Sequence, residues 1–89
     1  MAIRRADLQL AEQLDLAFQP YATDPALMCI VLDALVRRGW EPAIHYDPIH
    51  RSWHCMLRGP GYHRMEDPSL PKAVVYAALN ALDVDVYRA

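Results

Sequence analysis

The sequence predicts an α+β fold, with two or three helices packed on a short antiparallel meander of two or three strands, in the order α-α-β-β-(β)-α. Three observations predict it. Apolar residues recur at helical spacing before residue 39 and again after residue 69. Two runs between them, 40–46 and 52–58, alternate apolar and polar and are separated by Asp47-Pro48. Finally, 89 residues with 54% hydrophobic and 22% charged side chains suit one globular core, so residues 1–89 are read as a single domain.

In chain order, residues 6–18 place Leu8, Ala11, Leu14 and Phe18 on one helical face, with Asp7, Gln9, Glu12, Gln13 and Asp15 on the polar side. Pro20 closes this additional N-terminal helix, which lies within residues 1–20. The second helix opens on Thr23 or Asp24 as cap with Pro25 in its first turn. Leu27, Ile30, Val31, Ala34 and Leu35 form its apolar stripe, widened by Met28 and Leu32. That width predicts a helix central to the core. Arg37 and Arg38 occupy the last turn, and Gly39 is the expected left-handed terminator.

The two alternating runs also predict a register. Setting Tyr46 against Trp53 brings Ile44 to Cys55 and Pro42 to Leu57 on one face. The other face then pairs His45 with His54, Ala43 with Met56 and Glu41 with Arg58. A slip of one residue would lose the match. Pro42 cannot donate to a ladder and belongs at an edge or at the strand's start. Gly59-Pro60-Gly61 is a turn, and residues 62–66 are expected as a third, shorter strand. Ser69 is expected to cap the last helix, 70–82, whose face is Ala73, Val74, Ala77, Ala78 and Ala81 or Leu82. Residues 83–89 alternate weakly and are expected as a tail or an added strand.

Charge and cysteine content narrow the function classes. A net charge of −2 gives no strong field for nucleic acid or an anionic membrane. Cys29 and Cys55 stand far apart inside apolar runs, which predicts two buried thiols in a reducing cytosol. Met1 to Arg5 carry charge with no apolar stretch behind them, so no signal peptide is expected. No apolar run approaches the ~20 residues that span a bilayer. The expected location is the cytoplasm.

Residues 24–82 resemble the phage ABA sandwich domain, a family of small, mostly uncharacterised bacteriophage and prophage proteins. The likeness rests on an order of features: a helix ending in Arg38-Gly39-Trp40, a strand ending in His45-Tyr46-Asp47, then Trp53-His54-Cys55. Ser69-Leu70-Pro71-Lys72-Ala73 follows, opening an alanine-rich helix that closes with Ala77-Ala78-Leu79-Asn80-Ala81-Leu82. Val74-Val75-Tyr76 departs from the more polar run expected of the family. The resemblance implies a fold and a phage or prophage setting, and it brings no catalytic residues.

All four histidines lie between positions 45 and 63. His45 and His54 are cross-strand neighbours in the expected register, and His63 on the third strand would join them if a metal were held. No H-x-H spacing supports this, so the expectation is no metal and no cofactor. Cys55 beside His54 is no catalytic pair, because adjacent strand residues point to opposite faces. Ser52 has no evident base, and no glycine-rich phosphate loop is present. No enzyme activity is expected. Arg51, Arg58, Arg64 and His63 with Tyr62 give thin support for nucleic acid and are read as solvated charges.

What remains is protein binding. Trp40 and Trp53 are assigned to the core, leaving Arg58, Tyr62, His63, Arg64 and Met65 as candidate partner-binding residues. The expected function is a small phage accessory protein that binds a host or phage protein, as an inhibitor of a host system such as CRISPR or another anti-phage defence. The alternative is an oligomer that sequesters a small ligand or nucleotide on its histidine-and-arginine face. A homodimer is expected on size alone.

Overall fold

In a computed structural model that describes residues 4–82, the chain runs through three α-helices and three strands. Helix α1 is Arg5–Leu14 and α2 is Met28–Arg37, entered through a 3-10 turn over Pro25–Leu27. Strands β1 (Glu41–Asp47), β2 (Ser52–Arg58) and β3 (Tyr62–Asp67) form an antiparallel sheet in the order β1-β2-β3, and α3 is Leu70–Ala81. The α+β class and element order are those expected. Residues 83–89, expected as a tail or strand, lie outside the described residues.

The β1–β2 register is the predicted one at every pair, from Glu41 against Arg58 to Tyr46 against Trp53. In the second hairpin Arg58 faces Tyr62, Leu57 faces His63 and Cys55 faces Met65. Alternation therefore sends Cys55 and Leu57 into the core, while His54, Met56 and Arg58 face away from the helices. The burial of Cys55 raises its thiol pKa to about 11, leaving it protonated and inert.

The central helix is α3, not α2. It packs on β2 and β3 and also touches α1 and α2. Seven of its residues are buried, including Val75 and Leu79 beyond the expected face. Alanines at 73, 77 and 78 permit this closeness by keeping its surface shallow. Ser69 stands at its N-cap position without a side-chain cap bond. The turn is held instead by Asp67 Oδ1, which accepts the Ser69 N–H at 2.8 Å.

Helix α1 differs from expectation in length and facing. Asp15 adopts a left-handed conformation (φ 54°) and its N–H closes on Ala11, so the helix stops before Phe18, which is 60% exposed. The buried face is Asp7, Leu10, Ala11 and Leu14, while Leu8 is exposed. Asp7 is thus a core residue and not part of the polar side. Its Oδ2 accepts the Arg4 N–H at 2.8 Å and its Oδ1 accepts the Ala22 N–H at 2.7 Å, tying the helix start to the loop before α2. Two backbone donors satisfy a carboxylate that burial alone would penalise.

The expected cap falls on the 3-10 turn ahead of α2: Asp24 accepts the Ala26 N–H at 2.9 Å, while α2 itself opens at Met28, behind Leu27, with no side-chain cap bond. The end of α2 is the expected one. Gly39 lies at φ 91°, its N–H bonding Val36 and the Trp40 N–H bonding Leu35, the paired closure of a Schellman motif. The buried stripe is Met28, Val31 and Leu35, and Ile30 and Cys29 are exposed. The expectation of two buried thiols therefore holds for Cys55 alone. Among the described residues, no helix is long and apolar enough to cross a membrane.

Candidate functional site

The helices cover one face of the sheet and leave the other open. Across that open face run His45 and Asp47 from β1, Ser52, His54, Met56 and Arg58 from β2, and Tyr62, Arg64 and Glu66 from β3. At its centre His54 is only 6% exposed, with a polar side chain at every point where its ring could bond.

Arg64 donates to His54 Nδ1 from both Nη2 (2.7 Å) and Nε (3.2 Å). A guanidinium has no acceptor, so Nδ1 offers its lone pair and the ring proton of the neutral imidazole sits on Nε2. That nitrogen stands 3.4 Å from Glu66 Oε2 and 3.9 Å from Asp47 Oδ2. Ser52 Oγ donates to Glu66 Oε1 at 3.0 Å, fixing the carboxylate from the other side. The result is a cross-strand network that ties Arg64 of β3 to His54 of β2.

The β1–β2 turn is organised by Asp47. Its Oδ1 accepts the Ile49 N–H at 2.9 Å and the His50 N–H at 3.2 Å, while its Oδ2 lies 2.6 Å from His50 Nδ1. The His50 hydrogen bond, with help from the backbone donors, lowers the Asp47 pKa to about 2. The same bond raises the His50 pKa above its ordinary value.

Strand alternation divides the five partner-binding candidates. Arg58, Tyr62 and Arg64 lie on the open face, where Tyr62 is 58% exposed. His63 and Met65 lie on the helix side. His63 packs edge-on against Trp40, with ring centroids 5.6 Å apart, and Met65 packs against the core. The histidine trio separates in the same way. His45 and His54 are neighbours with centroids 6.1 Å apart, while His63 is on the opposite face and does not join them. Among the described residues, no three or more His, Cys, Asp or Glu side chains are grouped to hold a metal ion.

A hollow of about 330 Å³ opens between His45, Met56, Tyr62 and Arg64, floored by His54. Asp47 and Glu66 complete the network beneath it, and sequence reasoning missed both. The Glu66 signal was available: the short Gly59-Pro60-Gly61 turn brings Glu66 to His54 by counting. A larger hollow of about 840 Å³ lies between the end of α1 and α2, beside Leu16, Cys29 and Ile30. Comparison of the chain with protein-family models, curated proteins and solved structures finds no match.

Proposed function

We propose that the chain is a small phage or prophage accessory protein of the ABA sandwich kind, acting without catalysis by binding a host or phage protein. Its role on this reading is to inhibit a host system such as CRISPR or another anti-phage defence. The observation that carries the binding role is the open sheet face. Arg58 and Tyr62 stand exposed there, and their side chains make no hydrogen bond or ion pair among the described residues. Met56 lies between Arg58 and His54 along β2, and His45 stands opposite His54 on β1. Arginine, tyrosine and methionine are enriched at interfaces relative to the rest of the surface, and here all three stand on one strand framework.

A tagged pull-down from host lysate, with mass spectrometry of the retained proteins, tests the reading. The expected result is one stoichiometric protein captured by the wild type and lost with Arg58→Glu and Tyr62→Ala, two exposed changes that leave the network intact. Capture unaffected by both changes would overturn the assignment of this face.

The hollow beside Arg64 supports a second reading, in which a self-associated form sequesters a small anion or nucleotide. Under it, the melting temperature rises with a metabolite and no protein is captured. A thermal-shift screen with nucleotides separates the two.

A further inference from the structure

Strand β1 pairs only with β2, so its other edge meets no strand among the described residues. Its helix-side surface is also incompletely covered. Helix α3 packs over β2 and β3, and α2 is the helix that reaches β1. Ile44 and Tyr46 are consequently 39% and 42% exposed. Edge strands are ordinarily guarded by charged side chains, proline, a bulge or an inward charge. Here the guards, Glu41, Pro42 and Asp47, stand at the two ends of the strand, its ladder is unbroken, and Ile44 and Tyr46 between them present isoleucine and an aromatic ring with no lysine, proline or carboxylate.

The proline sets which backbone groups face outward. Pro42 has no N–H, and a regular ladder accommodates it where its nitrogen points away from the neighbouring strand. Antiparallel alternation then turns the N–H and C=O groups of Ile44 and Tyr46 to the open edge as well. We propose that this edge pairs with β1 of a second copy, antiparallel about a two-fold axis at His45, joining two sheets into one.

Of the registers centred on Ala43, Ile44 and His45, the last suits the strand. With His45 opposite itself, Ile44 meets Tyr46 of the second copy on each side of the axis, and each such pair exchanges both its backbone hydrogen bonds. A β-branched residue against an aromatic ring is a favourable cross-strand pair, and it covers the two side chains the helices leave half open. Ala43 meets Asp47, and Pro42 falls opposite Pro48, past the strand end. With Ile44 opposite itself, Glu41 would face Asp47 twice, and Pro42 would deprive Tyr46 of a donor. With Ala43 opposite itself, Pro42 would deprive Ile44 in the same way. A closed two-fold contact of this kind uses the same patch on both copies and stops at two.

Sedimentation velocity on the full chain over a micromolar concentration series is the test. The wild type is expected to dimerise. Ile44→Lys, placing a charge in the pair, is expected to raise the dissociation constant by at least about tenfold. Register is read separately by oxidation in a Cys29→Ser background, which removes the exposed thiol and leaves the buried one. His45→Cys should form a disulfide-linked dimer, because opposed residues at such a position bring their α-carbons within disulfide reach. Ala43→Cys should remain unlinked. A chain that stays monomeric throughout would overturn the proposal. So would a dimer linked through Ala43→Cys and not through His45→Cys. The oxidation arm decides the matter even if Ile44→Lys fails to fold.

Discussion

Gly59 lies against the carbonyl of Gly39, so close that a β-carbon on Gly59 would stand 2.6 Å from that oxygen and 3.2 Å from the Trp40 ring. The turn between β2 and β3 is thereby seated on the corner where α2 passes into β1. The obstructing atom is backbone within a Schellman closure, so it cannot swing aside as a flexible side chain would. Gly59→Ala is expected to destabilise the fold by about 1–3 kcal/mol, the range of overpacked sites. For a domain of this size that lowers the melting temperature by several degrees. At Gly61 the nearest atom is His63 Nε2 at 3.4 Å, an ordinary contact. Gly61→Ala should leave thermal melting nearly unchanged, and equal losses for the two variants would refute the seating argument.

Asp7 supplies the second prediction. Asp7→Ala removes the acceptor for the Arg4 and Ala22 N–H groups, and Ala22 is fully buried. A lost charge-assisted bond and a stranded buried donor together cost about 2–4 kcal/mol, to be read from urea unfolding midpoints. Asp7→Asn keeps one acceptor oxygen but aims an NH₂ at the other donor, so it should recover only part of the loss. Full stability in Asp7→Ala would show that the α1–loop tie contributes nothing.

How far the sequence could be read depended on how local each determinant was. The first hairpin was legible to the residue, since period-two alternation, Pro42 and Asp47-Pro48 all constrain one register. The helix-ending role of Gly39 was equally legible, because only a left-handed position explains glycine after Arg37-Arg38. Asp7 was not, because its second partner is Ala22, fifteen residues on, and periodicity alone places a carboxylate on the solvent side. The end of α1 was hidden for a related reason: Asp15 turns left-handed within a pattern that still reads as helical through Phe18. Small alanines concealed the centrality of α3, since hydrophobic content ranks α2 equally high. At the candidate site, His63 was misplaced although the short turn after Arg58 sets its facing. Counting from that turn puts His63 beside Leu57, on the helix side.

A third prediction concerns pH. The Asp47–His50 pair joins a carboxylate whose pKa falls from 3.8 to about 2 with a histidine raised above 6.5. The depressed carboxylate contributes stability above pH 3.8 that is lost as pH falls toward 2. The raised histidine contributes stability below pH 6.5 that is lost as pH rises through its folded-state value. Their windows overlap in mild acid. The melting-temperature difference between wild type and His50→Gln should therefore be largest near pH 5, shrinking toward both pH 2 and pH 9. Both groups are solvent-accessible, so the difference should also shrink in high salt. A difference that is flat with pH would mean the contact does not form in solution.

The last prediction tests whether the open face is held rigid by its network. His54 is buried and takes both Arg64 donors on one nitrogen, so the two side chains should be coupled energetically. In a double-mutant cycle with His54→Ala and Arg64→Ala, the coupling is expected at about 1–2 kcal/mol, below the upper range for charged donors because Arg64 itself is exposed. Arg64→Ala alone leaves a buried acceptor facing the hollow, whereas the double change removes both partners and should cost less than the single losses added together. A cycle using Arg58→Ala and His54→Ala serves as control. Arg58 sits on the same strand as His54 but opposite Tyr62 and Glu41, outside the bonded set, and its coupling should be near zero. Equal coupling in the two cycles would mean that the face responds as a whole to any truncation. The His54–Arg64 bond would then not be what orders it.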